Sequence, residues 1–125
     1  MLFRSTGRGR FCARSVEKFL MARFDVYLNS GKSVKSVPFL MDIQSELLDH
    51  LNRRVVVPMY HLEKFRDIKL PKDLAPVFKI HGLECVMQTI EIGSVPANIL
   101  RKPVANLGRK QHIITAAMDR LFNGF

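Results

Sequence analysis

The sequence lacks the features that mark several large classes of protein. No stretch approaches the roughly 18 consecutive apolar residues of a membrane span, so we expect a soluble protein. Only two cysteines occur, Cys12 and Cys85, and they lie far apart and outside any Cys-x-x-Cys pair. The four histidines are also scattered, so no metal-site spacing appears, and neither a metal nor a cofactor is expected. We interpret both thiols as buried or idle groups in a reducing cytosol.

What the sequence does contain is enough apolar material for one core. It has 125 residues, 47% of them hydrophobic, and no compositional sign of disorder. Its net charge of +9, taken alone, suggests a nucleic-acid partner, but the distribution of the charge along the chain does not. Residues 1–21 hold five basic residues and one acidic residue, and the remaining 104 hold 15 basic and 10 acidic residues. Because this second group is spread over many segments, it favours a solvated, mildly cationic surface over a DNA-binding groove.

The first twenty residues differ from the rest, because they are rich in arginine and follow no clear hydrophobic period. They contain no apolar run of the length that a secretory signal needs. We therefore interpret residues 1–20 as a non-native or disordered N-terminal extension, with Met21 as the native start and residues 21–125 as a single domain. A start at Met1 with its own ribosome-binding site would contradict this interpretation.

Period-two patterns predict short strands after Met21. Phe24, Val26 and Leu28 alternate in a first strand, and the loop 29–33 leads to a strand that begins near Val34.

Between residues 38 and 59 the pattern predicts a strand, a tight acidic turn and a second strand. In the first strand, Phe39, Met41 and Ile43 are expected to face a core. The second strand is β-branched from Val55 and is expected to end at Pro58, which cannot donate a hydrogen bond to a ladder.

Later segments complete a mainly β pattern. Segment 61–74 is polar and contains a proline, so it is predicted as a loop with at most one short helical turn. Residues 77–80 lead into a His81-Gly82 hairpin turn, residues 83–92 return as a long strand, and a short strand covers 96–100. These elements predict an α+β, mainly β fold: a small SH3-like antiparallel barrel or curled sheet with a C-terminal α-helix.

The helix signal runs from about Leu107 to Phe122. Asn106 is a candidate N-cap, and Gly124 can adopt the left-handed conformation that ends a helix. The inner stripe repeats at spacings of three and four and is expected to pack on the core: Ile114, Ala117, Met118 and Leu121.

Four sequence elements occur in a specific order. Residues 41–49 read MDIQSELLD, residues 54–58 read RVVVP, residues 94–96 read SVP, and the chain ends in FNGF. They resemble the CcdB family of plasmid and chromosomal toxins, whose pattern reads roughly VDVQSDIID, RxVIP, SVP and Phe-Trp-Gly-Ile. The resemblance covers about residues 23–125 without a large gap. Each element alone is a weak signal, whereas all four in order are specific.

The resemblance implies a CcdB/MazF-like barrel and the toxin of a type II toxin–antitoxin system. Such a toxin binds the A subunit of DNA gyrase and traps the gyrase–DNA cleavage complex, which inhibits replication and growth. It is a protein poison of a topoisomerase rather than an enzyme, so the resemblance implies no catalytic residue, cofactor or metal.

The implied partners follow from the same resemblance. They are the A subunit of DNA gyrase, a cognate CcdA-like antitoxin with a disordered segment that folds on binding, and a second copy of the chain in a homodimer. DNA is expected to be contacted only through gyrase or the antitoxin, and no membrane is involved. The family further implies a cytoplasmic bacterial protein of plasmid maintenance that, with its antitoxin, represses its own operon.

The resemblance places the main gyrase-binding wedge at the C terminus. Asn123, Gly124 and Phe125 match the wedge, and Phe122 is expected partly to pack and partly to contact gyrase. Asn123 departs from the family, which has a tryptophan that can stack on an arginine of gyrase, while Phe125 restores an aromatic ring two positions later. Loss of the stacking contact is expected to cost about 0.5–2 kcal/mol. The alternative interpretation of this segment is a frayed terminus.

Three further positions match the binding surface of the family. Leu47 and Leu48 match an apolar pair in the acidic turn, and Asp119 matches a polar contact on the helix. From the residues alone, the two leucines are equally consistent with ordinary hairpin packing, and Asp119 is consistent with a solvated helix residue.

Two alternative functions stay open at this point. Toxins of the MazF and Kid group share a small barrel and are endoribonucleases, and Arg53, Arg54 and Asp42 are the residues that would serve acid–base chemistry on RNA. However, these residues also match the CcdB pattern, and a nuclease has no use for a C-terminal wedge. The second alternative is an inactive relic that binds only antitoxin.

Overall fold

Seven strands and one α-helix form the main regular structure of the residues that the computed structural model describes, which are 22–31, 35–48 and 50–124. The strands are β1 (Asp25–Leu28), β2 (Phe39–Asp42), β3 (Arg53–His61), β4 (Val77–Ile80), β5 (Leu83–Met87), β6 (Gly93–Pro96) and β7 (Ala105–Asn106). The helix, α1, is Gln111–Asn123.

The strands form one antiparallel sheet in the order β4-β5-β3-β2-β1-β7, with β6 paired to β3. The long strand β3 organises this sheet, because one edge pairs with β2 while the other pairs first with β6 and then with β5. The sheet curls until its ends approach, where Nε2 of His81 lies 2.6 Å from the carbonyl oxygen of Val104. The predicted fold is therefore confirmed as a nearly closed antiparallel barrel with one C-terminal helix.

The predicted strand, acidic turn and second strand are present as β2, the 3-10 helix Glu46–Leu48 and β3. The prediction that β3 ends at Pro58 is wrong, because Pro58 pairs with Leu40 in mid-strand. The carbonyl oxygen of Pro58 accepts a hydrogen bond from the Gln88 N–H on the opposite edge, at 3.1 Å. Since the nitrogen and carbonyl of one strand residue point to the same edge, the missing N–H faces the interval between the β6 and β5 pairings.

The period-two prediction for β1 describes only one of its two buried faces. Val26 lies in the main core as predicted, but Tyr27 is also buried and Leu28 is 60% exposed. The reason is a second, smaller cluster formed by Tyr27, Val56 and Leu100. A strand that is covered on both faces loses simple alternation.

The β4–β5 hairpin is confirmed, and both of its turn residues have positive φ, 50° for His81 and 82° for Gly82. The prediction that β5 runs to residue 92 is wrong, because the strand ends at Met87 and a 3-10 helix, Thr89–Glu91, follows. The Thr89 hydroxyl donates a hydrogen bond to the carbonyl oxygen of Leu74 at 2.5 Å, which ties this turn to a distant loop.

Two other strand boundaries also differ from the prediction. The strand predicted at 96–100 is instead β6, which ends at Pro96 and is followed by the 3-10 helix Ala97–Ile99. The strand predicted from near Val34 begins only at Phe39, and Val34 itself lies outside the described residues. Segment 61–74 contains one short helical turn, Leu62–Phe65, as predicted.

The helix begins later than predicted, at Gln111, after the 3-10 helix Gly108–Lys110. Asn106 is not its N-cap. The Asn106 side-chain oxygen instead accepts a hydrogen bond from the Gly108 N–H at 2.7 Å, and its amide group donates to the Asp25 carboxylate at 2.9 Å. Asn106 therefore joins β7 to β1 and starts the 3-10 turn.

The inner stripe of α1 and its C-terminal end agree with the prediction. Ile114 and Ala117 are fully buried in the main core, and Met118 and Leu121 are half-buried. Gly124 ends the helix in the left-handed conformation, with φ 80° and ψ 11°.

The described residues include no helix long and apolar enough to cross a membrane. Within the same residues, no group of three or more His, Cys, Asp or Glu side chains is placed to hold a metal ion. Cys85 is a buried free thiol, and its burial raises its pKa. The predictions for Cys12 and for residues 1–20 lie outside the described residues.

Candidate functional site

The C-terminal end of α1 is open to solvent and carries four of the predicted binding residues. Asp119, Asn123 and Gly124 are exposed, and the side chain of Phe122 is 66% exposed. An exposed aromatic ring contributes little to the core of one chain, whereas burying such a side chain against a partner is worth about 1.5–3 kcal/mol. Phe125, the fifth predicted residue at this end, lies outside the described residues.

Arg120 fixes this end of the helix from two directions. Its Nε lies 3.1 Å from Asp73 Oδ2 in the preceding loop, and its Nη1 donates to the carbonyl oxygen of Gly124 at 2.9 Å. The Gly124 N–H in turn donates to the carbonyl oxygen of Arg120 at 3.0 Å. These bonds tie Gly124 to the last turn of the helix and tie that turn to the preceding loop.

The acidic turn carries the second predicted group. Leu47 is 87% exposed and Leu48 is 43% exposed, so hairpin packing does not explain the first of them. The amide group of Gln44 donates to the carbonyl oxygen of Leu48 at 3.0 Å, and its side-chain oxygen accepts from the Val55 N–H at 2.9 Å. A buried glutamine thus anchors the turn to β3 and holds the two leucines in place.

A buried ion pair lies beneath this turn. Arg54 and Asp42 are both fully buried, and Arg54 donates to Asp42 Oδ2 from Nε at 3.0 Å and from Nη2 at 2.7 Å. The other carboxylate oxygen of Asp42 accepts from the Gln44 N–H at 3.0 Å. Burial raises the pKa of Asp42, while the hydrogen bond from Arg54 acts in the opposite direction. The pair therefore positions Gln44, and through it the acidic turn.

The wedge and the acidic turn lie at opposite ends of α1. Leu47 and Gln111, the first residue of α1, line one groove together with Arg23 and Glu46. The helix has 13 residues and is therefore about 20 Å long, with Asn123 at its far end. The predicted residues do not form one cluster, but one helix joins them.

The exposed face of α1 supplies residues that the sequence reasoning missed. His112, Ala116, Asp119 and Asn123 follow each other at spacings of three and four, so they share the face opposite Ile114. His112 and Ala116 are exposed, like Asp119 and Asn123.

A second row, Gln111, Thr115 and Phe122, flanks this stripe at spacings of four and seven residues. Gln111 places this row on the side of Leu47. The helical spacing of these residues can be read from the sequence, but only the packing of α1 on the core shows which side of the helix stays exposed. We name the two rows, with Leu47, Leu48 and Gly124, the helix-face surface.

The residues considered for RNA chemistry are not placed for it. Asp42 and Arg54 are fully buried and paired with each other, so an RNA phosphodiester cannot reach them in this fold. Arg53 is exposed, but its Nε donates to the Ser94 hydroxyl at 2.6 Å and its Nη2 to the Ser94 carbonyl oxygen at 2.8 Å. These residues have a structural role, because Arg54 joins β3 to β2 and Arg53 joins β3 to β6.

Comparison with protein-family models places these elements in a known context. Residues 23–124 match the family model described as CcdB protein. The match includes β1 to β7, the acidic turn and α1, and so spans every element described above.

Proposed function

Because the chain belongs to the CcdB family, the toxins of toxin–antitoxin pairs, we propose that it binds the A subunit of DNA gyrase and traps the gyrase–DNA cleavage complex. The observation that carries this proposal is the helix-face surface, on which Phe122 is 66% exposed and Leu47 is 87% exposed. Large apolar side chains held outward on a fixed helix and turn are typical of a protein-binding surface. Trapping requires only that this surface bind the cleaved state of gyrase better than its other states.

A homodimer is part of the proposal. The 3-10 helix Thr89–Glu91 contacts α1 and carries Ile90, which is 60% exposed. This exposed side chain supports an apolar contact between two copies beside their C-terminal helices. A twofold toxin dimer would then match the twofold of the gyrase A pair. We expect sedimentation to give a dimer, and a monomer at micromolar concentration would count against this part of the proposal.

The remaining parts of the proposal concern partners and setting. A cognate CcdA-like antitoxin neutralises the toxin in the bacterial cytoplasm, and the complex represses its own operon through DNA contacts of the antitoxin. In a plasmid-borne locus this pair serves plasmid maintenance. The protein itself acts as an inhibitor, without catalysis.

The test is DNA supercoiling and cleavage by purified gyrase with the protein added, with and without ATP. Linear DNA that accumulates after detergent and protease treatment supports the proposal. Asn123→Trp restores the tryptophan of the family, and we expect it to increase the affinity for gyrase, and with it the cleavage, by up to about thirtyfold.

Two results would contradict the proposal. The absence of linear DNA with both folded, dimeric proteins would leave a relic that only binds antitoxin. Degradation of RNA by the protein without gyrase would identify a ribonuclease instead.

A further inference from the structure

A groove separate from the helix-face surface lies at the seam of the barrel. It is bounded by the end of β1, the β4–β5 turn and the connection from β6 to β7, and its volume is about 580 Å³. We call it the seam groove and define it by an apolar wall and a basic rim: Leu28, Ile99, Pro103 and Val104, with Arg101 and Lys102.

The wall of the seam groove is apolar and accessible. Leu28 is 60% exposed although it belongs to a strand, and Ile99 is 38% exposed. His81 completes the groove, and its contact with the Val104 carbonyl oxygen at 2.6 Å holds the two sides of the seam together. The groove therefore lies between two hydrogen-bonded sides of the barrel and leaves apolar surface in water.

The rim of the seam groove is positively charged. Arg101 and Lys102 are adjacent and exposed, and the residues that line the groove, all within the described part of the chain, include no acidic side chain. A ligand that fits must bring negative charge to the rim and apolar groups to the wall.

We infer that the seam groove binds an acidic peptide segment whose apolar side chains cover Leu28 and Ile99 and whose carboxylates pair with Arg101 and Lys102. This arrangement is the usual one for an amphipathic segment that orders in an apolar groove. The inference rests on the proposed function, which supplies the cognate antitoxin as the source of the segment.

Other occupants fit the groove less well. The phosphates of a nucleic acid would pair with the rim, but its backbone would leave the apolar wall in water. Residues 1–21 of this chain hold five basic residues and one acidic residue, so the basic rim repels them. A second copy placed symmetrically on the groove would bring its own basic rim against the first.

The experiment measures binding of the purified full chain to the cognate antitoxin at two salt concentrations. In the first variant, Arg101→Glu with Lys102→Glu, attraction becomes repulsion at two exposed sites, and we expect the dissociation constant to rise about tenfold or more. The matched control, Lys69→Glu with Lys72→Glu, makes the same change of charge on an exposed loop outside the groove. We expect the control to change the dissociation constant by less than about threefold, because salt screens distant charges.

A second variant tests the apolar wall without changing charge. Leu28→Thr places a β-branched residue in an exposed strand position, so we expect the fold to be retained. It removes apolar surface from the groove, and we expect binding to weaken about fivefold. Both groove variants keep the helix-face surface, so gyrase cleavage by them should equal that of the unaltered protein.

The outcomes separate this inference from the proposed function. Weakened antitoxin binding by both groove variants, with the control unchanged, supports the inference even if no gyrase cleavage is found, in which case the proposed function fails alone. Unchanged antitoxin binding by the groove variants overturns the inference. So does a loss of DNA binding with antitoxin binding intact, which would identify a nucleic-acid site. A loss of the homodimer in the groove variants would identify a contact between copies and would likewise overturn it.

Discussion

At the residue scale, the buried pair of Asp42 and Arg54 decides the shape of the acidic turn. Arg54 uses two nitrogens to bind one carboxylate oxygen, while Gln44 binds the other and carries the turn. A buried ion pair contributes little more to stability than apolar residues of similar volume would contribute in its place. Removal of one member, however, leaves a buried charge without compensation.

We therefore expect Arg54→Met to lower the free energy of unfolding by about 3–5 kcal/mol at neutral pH. The loss should shrink as the pH falls. Without Arg54, burial raises the pKa of Asp42 further, and only the hydrogen bond from the Gln44 N–H still opposes this rise. At lower pH the carboxyl therefore takes up a proton, and the uncompensated charge disappears. Urea unfolding at neutral and acidic pH measures this.

Arg53→Met is the matched control for this prediction, because Arg53 is the neighbouring arginine and is exposed. Its loss should cost less than about 1 kcal/mol, independent of pH in this range. Equal losses of unfolding free energy for the two variants would mean that the buried ion pair contributes no more to stability than the exposed Arg53.

Tyr60 provides a second test at the residue scale. Its hydroxyl donates to the Glu91 carboxylate, and this hydrogen bond, followed by burial, raises the pKa of Tyr60 to about 12. A phenol with a raised pKa in the folded state stabilises the fold below its ordinary pKa, and that stability is lost as the pH rises through the raised value.

We expect Glu91→Gln to move the pKa of Tyr60 down toward the ordinary value of about 10. The measurement is a spectrophotometric titration of phenolate absorbance. Tyr60→Phe keeps only Tyr27, so subtracting its titration leaves the signal of Tyr60. An unchanged titration in Glu91→Gln would show that the carboxylate does not hold the phenol.

At the element scale, most strands and the helix follow from local patterns. Alternation and β-branching predicted β2 and β3, the His81-Gly82 pair predicted a hairpin, and Gly124 predicted the end of α1. The errors arise where distant residues decide the structure. The strand predicted to reach residue 92 stops early because the turn at Thr89 bonds to Leu74, 15 positions earlier in the chain.

The candidate site likewise combines features that the sequence predicts with features that depend on distant residues. The individual wedge and turn residues came from family resemblance and are found exposed wherever the structure describes them. That Leu47 shares a groove with Gln111 did not follow from the sequence, because 63 intervening residues fold back to bring them together. The ion pair between Asp42 and Arg54 also joins two strands, and the sequence pattern indicated a common role for these residues only as candidates for RNA chemistry.

The β4–β5 turn gives a prediction at this scale. Gly82 has φ 82° and a Cβ there would meet no atom within 4 Å, so only backbone strain opposes Gly82→Ala. We expect this substitution to cost about 1–2 kcal/mol of unfolding free energy.

The control is Gly93→Ala in β6, where a Cβ would meet Glu91 O at an ordinary distance of 3.9 Å. We expect that change to stay within about 0.5 kcal/mol. Urea unfolding compares the two, and equal losses would mean that the left-handed conformation of the turn is not required.

At the scale of the whole molecule, the exposed positive charge of the described residues is distributed over separate elements. Exposed basic residues lie on separate elements, as with Lys79 in β4, Arg101 beside the seam groove and Lys110 before α1. We expect the protein alone to bind duplex DNA with a dissociation constant of about 10 µM or weaker, and this affinity should fall steeply with added salt.

A gel-shift titration with and without antitoxin checks this expectation. Only the complex with antitoxin should select its operator sequence. Tight, salt-resistant binding of one DNA sequence by the protein alone would mean that it reads DNA directly.

Gyrase binding by the helix-face surface is tested by one comparison of two variants. Phe122 and Ile68 are apolar side chains with similar exposure, 66% and 57%, but only Phe122 belongs to the helix-face surface. Gyrase cleavage assays with Phe122→Ala and Ile68→Ala should therefore differ, although both proteins should unfold within about 0.5 kcal/mol of the unaltered chain. We predict that linear DNA falls at least about tenfold with Phe122→Ala, as for a binding hot spot, and is unchanged with Ile68→Ala. Equal amounts of linear DNA from the two variants would contradict the account.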